Sequence, residues 1–179
     1  MKIAIAGDAG SGKSSVAKLV AQKLGYSHYS IGDFMREIAA KRGISILELS
    51  RAAEKDETID AELDDMQINL GKFEDNFVID SRLGWHFVPD ALKIFLKTDE
   101  KVSAERIFSD KRGEEHENTT AKETLENIKK RKESEIKRYR EYYKLNPYEL
   151  EHYDLIIDTT DMTIEKTAGK ILEFIEKNK

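Results

Sequence analysis

The chain contains no cysteine, which rules out disulfides and thiolate metal sites. Prolines number two, and together with the high charge density this composition is in keeping with a thermostable protein. No apolar run is long enough to cross a bilayer. The N-terminus runs straight into an apolar strand, leaving no room for a signal peptide, so a soluble cytoplasmic protein is expected; it is read as a monomer. Positive charge is in deficit: 30 Lys and Arg stand against 35 Asp and Glu, a net charge of -5. A general nucleic-acid coat is thereby disfavoured, because a phosphate backbone rewards net positive charge, and any basic site has to be local. Internal repeats, low-complexity tracts and interdomain linkers are also lacking. The 179 residues suffice for one compact domain with a full hydrophobic core.

What is present begins near the N-terminus. Gly7-Asp8-Ala9-Gly10-Ser11-Gly12-Lys13-Ser14 fits the pattern G-x-x-x-x-G-K-[ST]. Glycines allow the backbone to curl so that its N–H groups, from Gly7 through Ser15, point at phosphate oxygens. Lys13 reaches the β- and γ-phosphates, and the Ser14 hydroxyl binds Mg²⁺. The flanks agree with this reading. Lys2-Ile3-Ala4-Ile5-Ala6 predicts a buried parallel strand. Val16, Leu19, Val20 and Leu24 follow at helical spacing, which puts a helix N-terminus under the phosphates.

Four further strands are predicted at 28–31, 77–80, 92–96 and 155–157. Helical stretches lie between them, at Asp33–Arg42, Ser45–Lys55, Thr58–Gly71 and within 98–145. The alternation predicts a P-loop NTPase three-layer α/β fold, a five-stranded parallel sheet covered by helices on both faces. Segments 32–72 and 99–145 are longer than simple crossovers need. They read as insertions on a core of 1–31, 73–98 and 146–179, where a second-substrate site and a closing lid would go. In the lid, Asp99 caps one helix and Thr119 or Thr120 the next, with the polar stretch 110–118 between them.

A phosphate loop alone does not separate a kinase from a switch. The Asn-Lys-x-Asp motif of guanine-nucleotide switches is absent, whereas arginines gather in and around the insertions: Arg36, Arg82, Arg106, Arg112, Arg131 and Arg138. Guanidinium groups grip phosphate bidentately and stay charged, as phosphoryl transfer requires. Arg131, Glu135 and Arg138 share one helical face; taken alone they would be a solvated stripe, as the nearby Lys129, Lys130, Lys132 and Lys137 are expected to be. Asp80 ends an apolar strand at the sheet edge where such folds bind ligands, and is expected to help Ser14 hold Mg²⁺.

Three stretches carry a more specific likeness. These are Ser30-x-Gly32-x-x-x-Arg36, the run from Asp80-Ser81-Arg82-Leu83-Gly84 to Leu96, and Arg131-x-x-x-Glu135-x-x-Arg138, continued by Tyr139-Arg140-Glu141-Tyr142-Tyr143. In this order, over nearly the whole chain, they resemble the P-loop nucleoside monophosphate kinases, and within them the cytidylate kinases of the short archaeal type. The resemblance implies transfer of the γ-phosphoryl of ATP to CMP or dCMP, with Mg²⁺. It implies that Ser30, Arg36 and Arg82 meet the monophosphate, and that Arg131 and Arg138 reach the transferring group. Arg106 or Arg112 would lie by the donor, and Thr159 and Thr160 would border the adenine. From the residues alone, Ser30 also reads as a helix cap, Arg106 as a surface residue, and Trp85 and Phe87 as packing. Two positions depart from the pattern: Leu83 stands where many bacterial members have Asp, and Ser81 where a glycine is usual. Other readings stay open, namely another acceptor (a different nucleotide, dephospho-coenzyme A, shikimate), a regulatory nucleotide-binding module, or an RNA-linked P-loop protein using the basic run 129–140.

Overall fold

The computed structural model describes residues 1–110 and 119–178. Five parallel strands form one sheet in the order β2-β3-β1-β4-β5: β1 (Lys2–Gly7), β2 (Ser27–Ser30), β3 (Phe77–Asp80), β4 (Leu92–Lys97) and β5 (Leu155–Asp158). Helices α1 (Lys13–Leu24) and α8 (Ile164–Lys177) cover one face. Their Val16, Val20, Ile171 and Ile175 close over Ile3, Ile5, Val78, Ile94 and Leu96, the side chains that alternate onto that face. The opposite face of β1 carries alanine. The short α5 (Gly84–Phe87) can therefore lie close: a Cβ added at Gly84 would be 3.3 Å from Cβ of Ala4.

The 32–72 segment supplies a core of its own. Helices α2 (Ile31–Arg42), α3 (Ile46–Ala53) and α4 (Thr58–Phe73) enclose Met35, Ala39, Ile46, Leu49, Ile59 and Leu63. Capping fixes where each helix begins. Ser45 and Glu48 form a reciprocal capping box on α3. The Ser30 hydroxyl accepts from the Asp33 N–H at 3.2 Å and starts α2, so Ile31 is helical rather than the last residue of the expected strand. Beyond β4, α6 (Glu100–Asp110) and the long α7 (Ala121–Tyr143) pack on each other, and α7 also lies against α3. Asp99 accepts from Lys101 and Val102 N–H at the start of α6, and Thr120, not Thr119, caps α7. Helices α5 and α8 are not singled out by the sequence. Among the described residues, no helix is long and apolar enough to cross a membrane.

Candidate active site

The loop follows directly from the end of β1. Gly7 has φ 150°, and a Cβ there would sit 2.1 Å from the Leu96 carbonyl oxygen on β4, so a side chain is excluded by backbone. The loop is tied down on several sides. Asp8 N–H donates to Leu96 O at 2.9 Å, Ser11 Oγ to Asp8 O at 2.8 Å, and Thr159 Oγ1 to Ser11 O at 3.1 Å. Helix α1 starts at Lys13 with Gly12 before it and no side-chain cap. Its first-turn N–H groups and the positive end of its dipole are thus left facing the hollow of the loop.

A cavity runs from this hollow to α4. At the loop end lie Lys13, Ser14, Asp80 and Arg82. Lys13 is half-buried, its Nζ donating to Asp8 O at 3.0 Å. Burial pulls its pKa down to about 7, and repulsion from Arg82 adds to that. The Ser14 hydroxyl donates to Asp80 Oδ2, and the buried Ser30 hydroxyl reaches the same oxygen at 3.3 Å. A hydroxyl and a carboxylate converging beside a phosphate loop are hard oxygen donors. They suit Mg²⁺, which takes few protein ligands and keeps water. The one Ser30 hydroxyl thus caps α2 and contacts Asp80.

The arginines are held by several different partners. Arg82 Nε donates to Glu135 Oε2 at 2.8 Å and its other arm to the Gly7 carbonyl, while Arg131 Nε donates to Glu135 Oε1 at 3.1 Å. Tyr148 adds a third donor to Glu135 at 2.8 Å. Burial alone would raise the Glu135 carboxyl, but Arg82 and Arg131 outweigh it and hold the group well below the usual carboxylate range. Arg138 turns toward α3 and α4: it donates to Ser50 O at 3.2 Å, and its Nε lies 2.8 Å from Asp60 Oδ2. Arg36 pairs with Asp33 on the cavity wall. Arg106 donates to the carbonyls of Thr159 and Thr160 at 2.9 and 3.0 Å, joining α6 to the segment after β5. Arg112 lies outside the described residues.

One expectation needs correcting. Lys132 is not a purely solvated lysine: its Nζ is 3.4 Å from Asp8 Oδ1 and 4.5 Å over the Tyr148 ring, at the loop. Lys129 and Lys137 are exposed as expected, paired with Glu100 and Glu54. Trp85 is buried and stacks on His152 with centroids 4.1 Å apart, whereas Phe87 lines the cavity. Glu135, which the sequence offers only as part of the Arg131–Arg138 stripe, also lines it, as do Asp60, Asp64 and Gln67, none of them a candidate from the sequence alone. The α4 residues had a signal: 60, 63, 64 and 67 fall on one helical face.

A triphosphate-type loop sharing one cavity with an arginine cluster, at the C-terminal edge of this sheet, is the arrangement of the P-loop small-molecule kinases. The fold of shikimate kinase from Bacteroides thetaiotaomicron superimposes with a TM-score of 0.66 at 16% identity, over 98% of both chains, a likeness of fold alone. Residues 2–161 match the cytidylate kinase-like family, and the chain belongs to that family. Similar proteins include the cytidylate kinase of Natronomonas pharaonis, 39% identical over 91% of this chain and 83% of its own. That of Methanothrix thermoacetophila is 40% identical over 89% and 88%.

Proposed function

We propose that the protein transfers the γ-phosphoryl group of ATP to CMP or dCMP, giving ADP and the nucleoside diphosphate. The observation that carries this reading is the continuity of the cavity. Lys13 and Ser14 of the loop share it with Arg36, Arg82, Arg131 and Arg138, so donor and acceptor phosphates can meet without crossing solvent. An oxygen of the acceptor's phosphate bonds to the γ-phosphorus as the bond to the β–γ bridging oxygen breaks. The electron pair leaves with ADP. That acceptor oxygen is already anionic, so no general base is needed, and positioning and charge neutralisation supply the catalysis.

Loop N–H groups and Lys13 grip the donor, and Arg106 braces the segment at Thr159 that borders the adenine. Ser30, Arg36 and Arg82 receive the monophosphate. Arg131 is held ready by Glu135, while Arg138 completes the ring around the moving group. Ser14 and Asp80 would hold Mg²⁺, which would offset phosphate charge. Segment 32–72 acts as the monophosphate-binding insertion and 99–145 as a lid whose closure excludes water, the competing acceptor. On this reading the enzyme works as a cytoplasmic monomer on small nucleotides and not on nucleic acid, in keeping with its net charge of -5.

A panel of acceptors in a coupled ADP-release assay tests the reading. CMP is expected to give the fastest release. CMP yielding no more ADP than a control without acceptor would defeat it.

A further inference from the structure

The cavity does not stop at the phosphate groups. It ends against α4, where Asp60, Asp64 and Gln67 face inward. Two of these are already committed. Gln67 accepts from the Ser81 hydroxyl and donates to Leu63 O at 3.3 Å. Asp60 Oδ2 lies 2.8 Å from Arg138 Nε, and both side chains are almost fully buried. Asp64 differs. Its Oδ2 accepts from the Tyr143 hydroxyl, while its Oδ1 has no hydrogen-bond partner among the described residues. The carboxyl is only half-buried and opens on the cavity.

Part of the wall near it is apolar. The Tyr143 ring meets the Phe87 ring edge-on at 5.8 Å, and Leu63 and the buried Leu83 line the same cavity. Apolar walls with one unpaired acceptor oxygen suit an aromatic heterocycle that carries an N–H group on its edge. Among the pyrimidine bases, cytosine offers an exocyclic amine where uracil offers a carbonyl oxygen. A carboxylate oxygen attracts the first and repels the second.

We propose that Asp64 accepts a hydrogen bond from the exocyclic amine of the acceptor's base and so selects cytosine over uracil. The inference rests on the nucleotide kinase reading of the cavity. The selecting carboxylate comes from α4, in the monophosphate-binding segment, and not from the turn after Arg82, where Leu83 supplies only an apolar wall. Burial, with the nearby Asp60 adding to it, raises the Asp64 carboxyl to about 6, against the Tyr143 hydroxyl and Arg138, which pull it down. A carboxylate short of donors is one that a base amine can satisfy.

The test compares wild type with Asp64→Asn on three acceptors: CMP, UMP and a cytidylate analogue lacking the 4-amino group. In the wild type the analogue is expected to lose about 10-fold or more in kcat/KM relative to CMP. In Asp64→Asn the ratio of CMP to UMP should fall by a similar factor, with the loss on KM, and the analogue should no longer be penalised. An unchanged CMP-to-UMP ratio in the variant overturns the assignment of Asp64 while leaving the kinase reading intact. Should Asp64→Asn fail to fold, Asp64→Ser is read by the same ratio. No acceptor giving ADP above the control, in wild type, overturns both.

Discussion

Arg82, in the turn after β3, and Glu135, near the middle of α7, meet across the cavity with Nε 2.8 Å from Oε2. Glu135 holds Arg131 with its other oxygen. One buried carboxylate therefore sets the spacing of two guanidinium groups that would otherwise repel each other. Replacing it with Gln leaves Arg82 and Arg131 facing each other without the carboxylate they share. Removing one partner of a buried pair costs about 3–5 kcal/mol. We expect Glu135→Gln to lose most of that in denaturant unfolding, and kcat to drop about 100-fold because the arginines no longer align. Unaltered unfolding and turnover would show that the arginines are placed without it.

Lys13→Ala should abolish turnover, a loss of about 1000-fold or more, since the ammonium neutralises charge on the transferring phosphoryl group. Near-normal activity in that variant would sink the assignment of the loop.

The depressed pKa of Lys13 has a pH signature. Its folded value of about 7 lies below the unfolded value of 10.5, so between these the unfolded chain binds more protons. The cost of burying the ammonium is therefore fully present below pH 7 and is relieved as pH rises toward 10.5, and this group's contribution to stability improves over that window. ATP binding needs the protonated form. Above pH 7 it should take up a proton and KM for ATP should climb. Calorimetry in buffers of different ionisation enthalpy measures the uptake, which Lys13→Met should remove.

Asp80→Asn keeps the shape beside Ser14 but removes the charge. The Mg²⁺ concentration for half-maximal activity should rise about 10-fold or more, whereas the unfolding midpoint without nucleotide should move little by comparison. A titration with the same Mg²⁺ dependence as wild type would remove Asp80 from the metal site.

Gly7→Ala would drive a methyl group into the Leu96 carbonyl, 2.1 Å away. The strain should cost about 3 kcal/mol and remove ATP binding. Thermal unfolding with and without ATP measures both effects.

The phosphate loop and the strands were legible because their signals are local: apolar runs of strand length, glycines at fixed offsets, and a lysine and serine at the start of a helix. The Arg131-Glu135-Arg138 face was legible as a stripe, but the grip of Glu135 on Arg82 depends on how α7 lies over the β3 turn, which no spacing reports. The same holds for Lys132, whose neighbours Asp8 and Tyr148 are far from it in sequence. Ser30 was ambiguous because one hydroxyl both caps α2 and contacts Asp80. The α4 carboxylates belong to no motif, and only the fold of that helix places them on the cavity.

Trp85 is the chain's single tryptophan. It lies in α5, three residues beyond Arg82, stacked on His152. Red-edge excitation of the protein therefore addresses one ring, fixed to the turn that carries Arg82. Movement of that turn against the 150–153 segment would change the stacking and with it the emission. The enzyme carries its own optical reporter, and nucleotide binding can be followed by stopped-flow fluorescence without attaching a label.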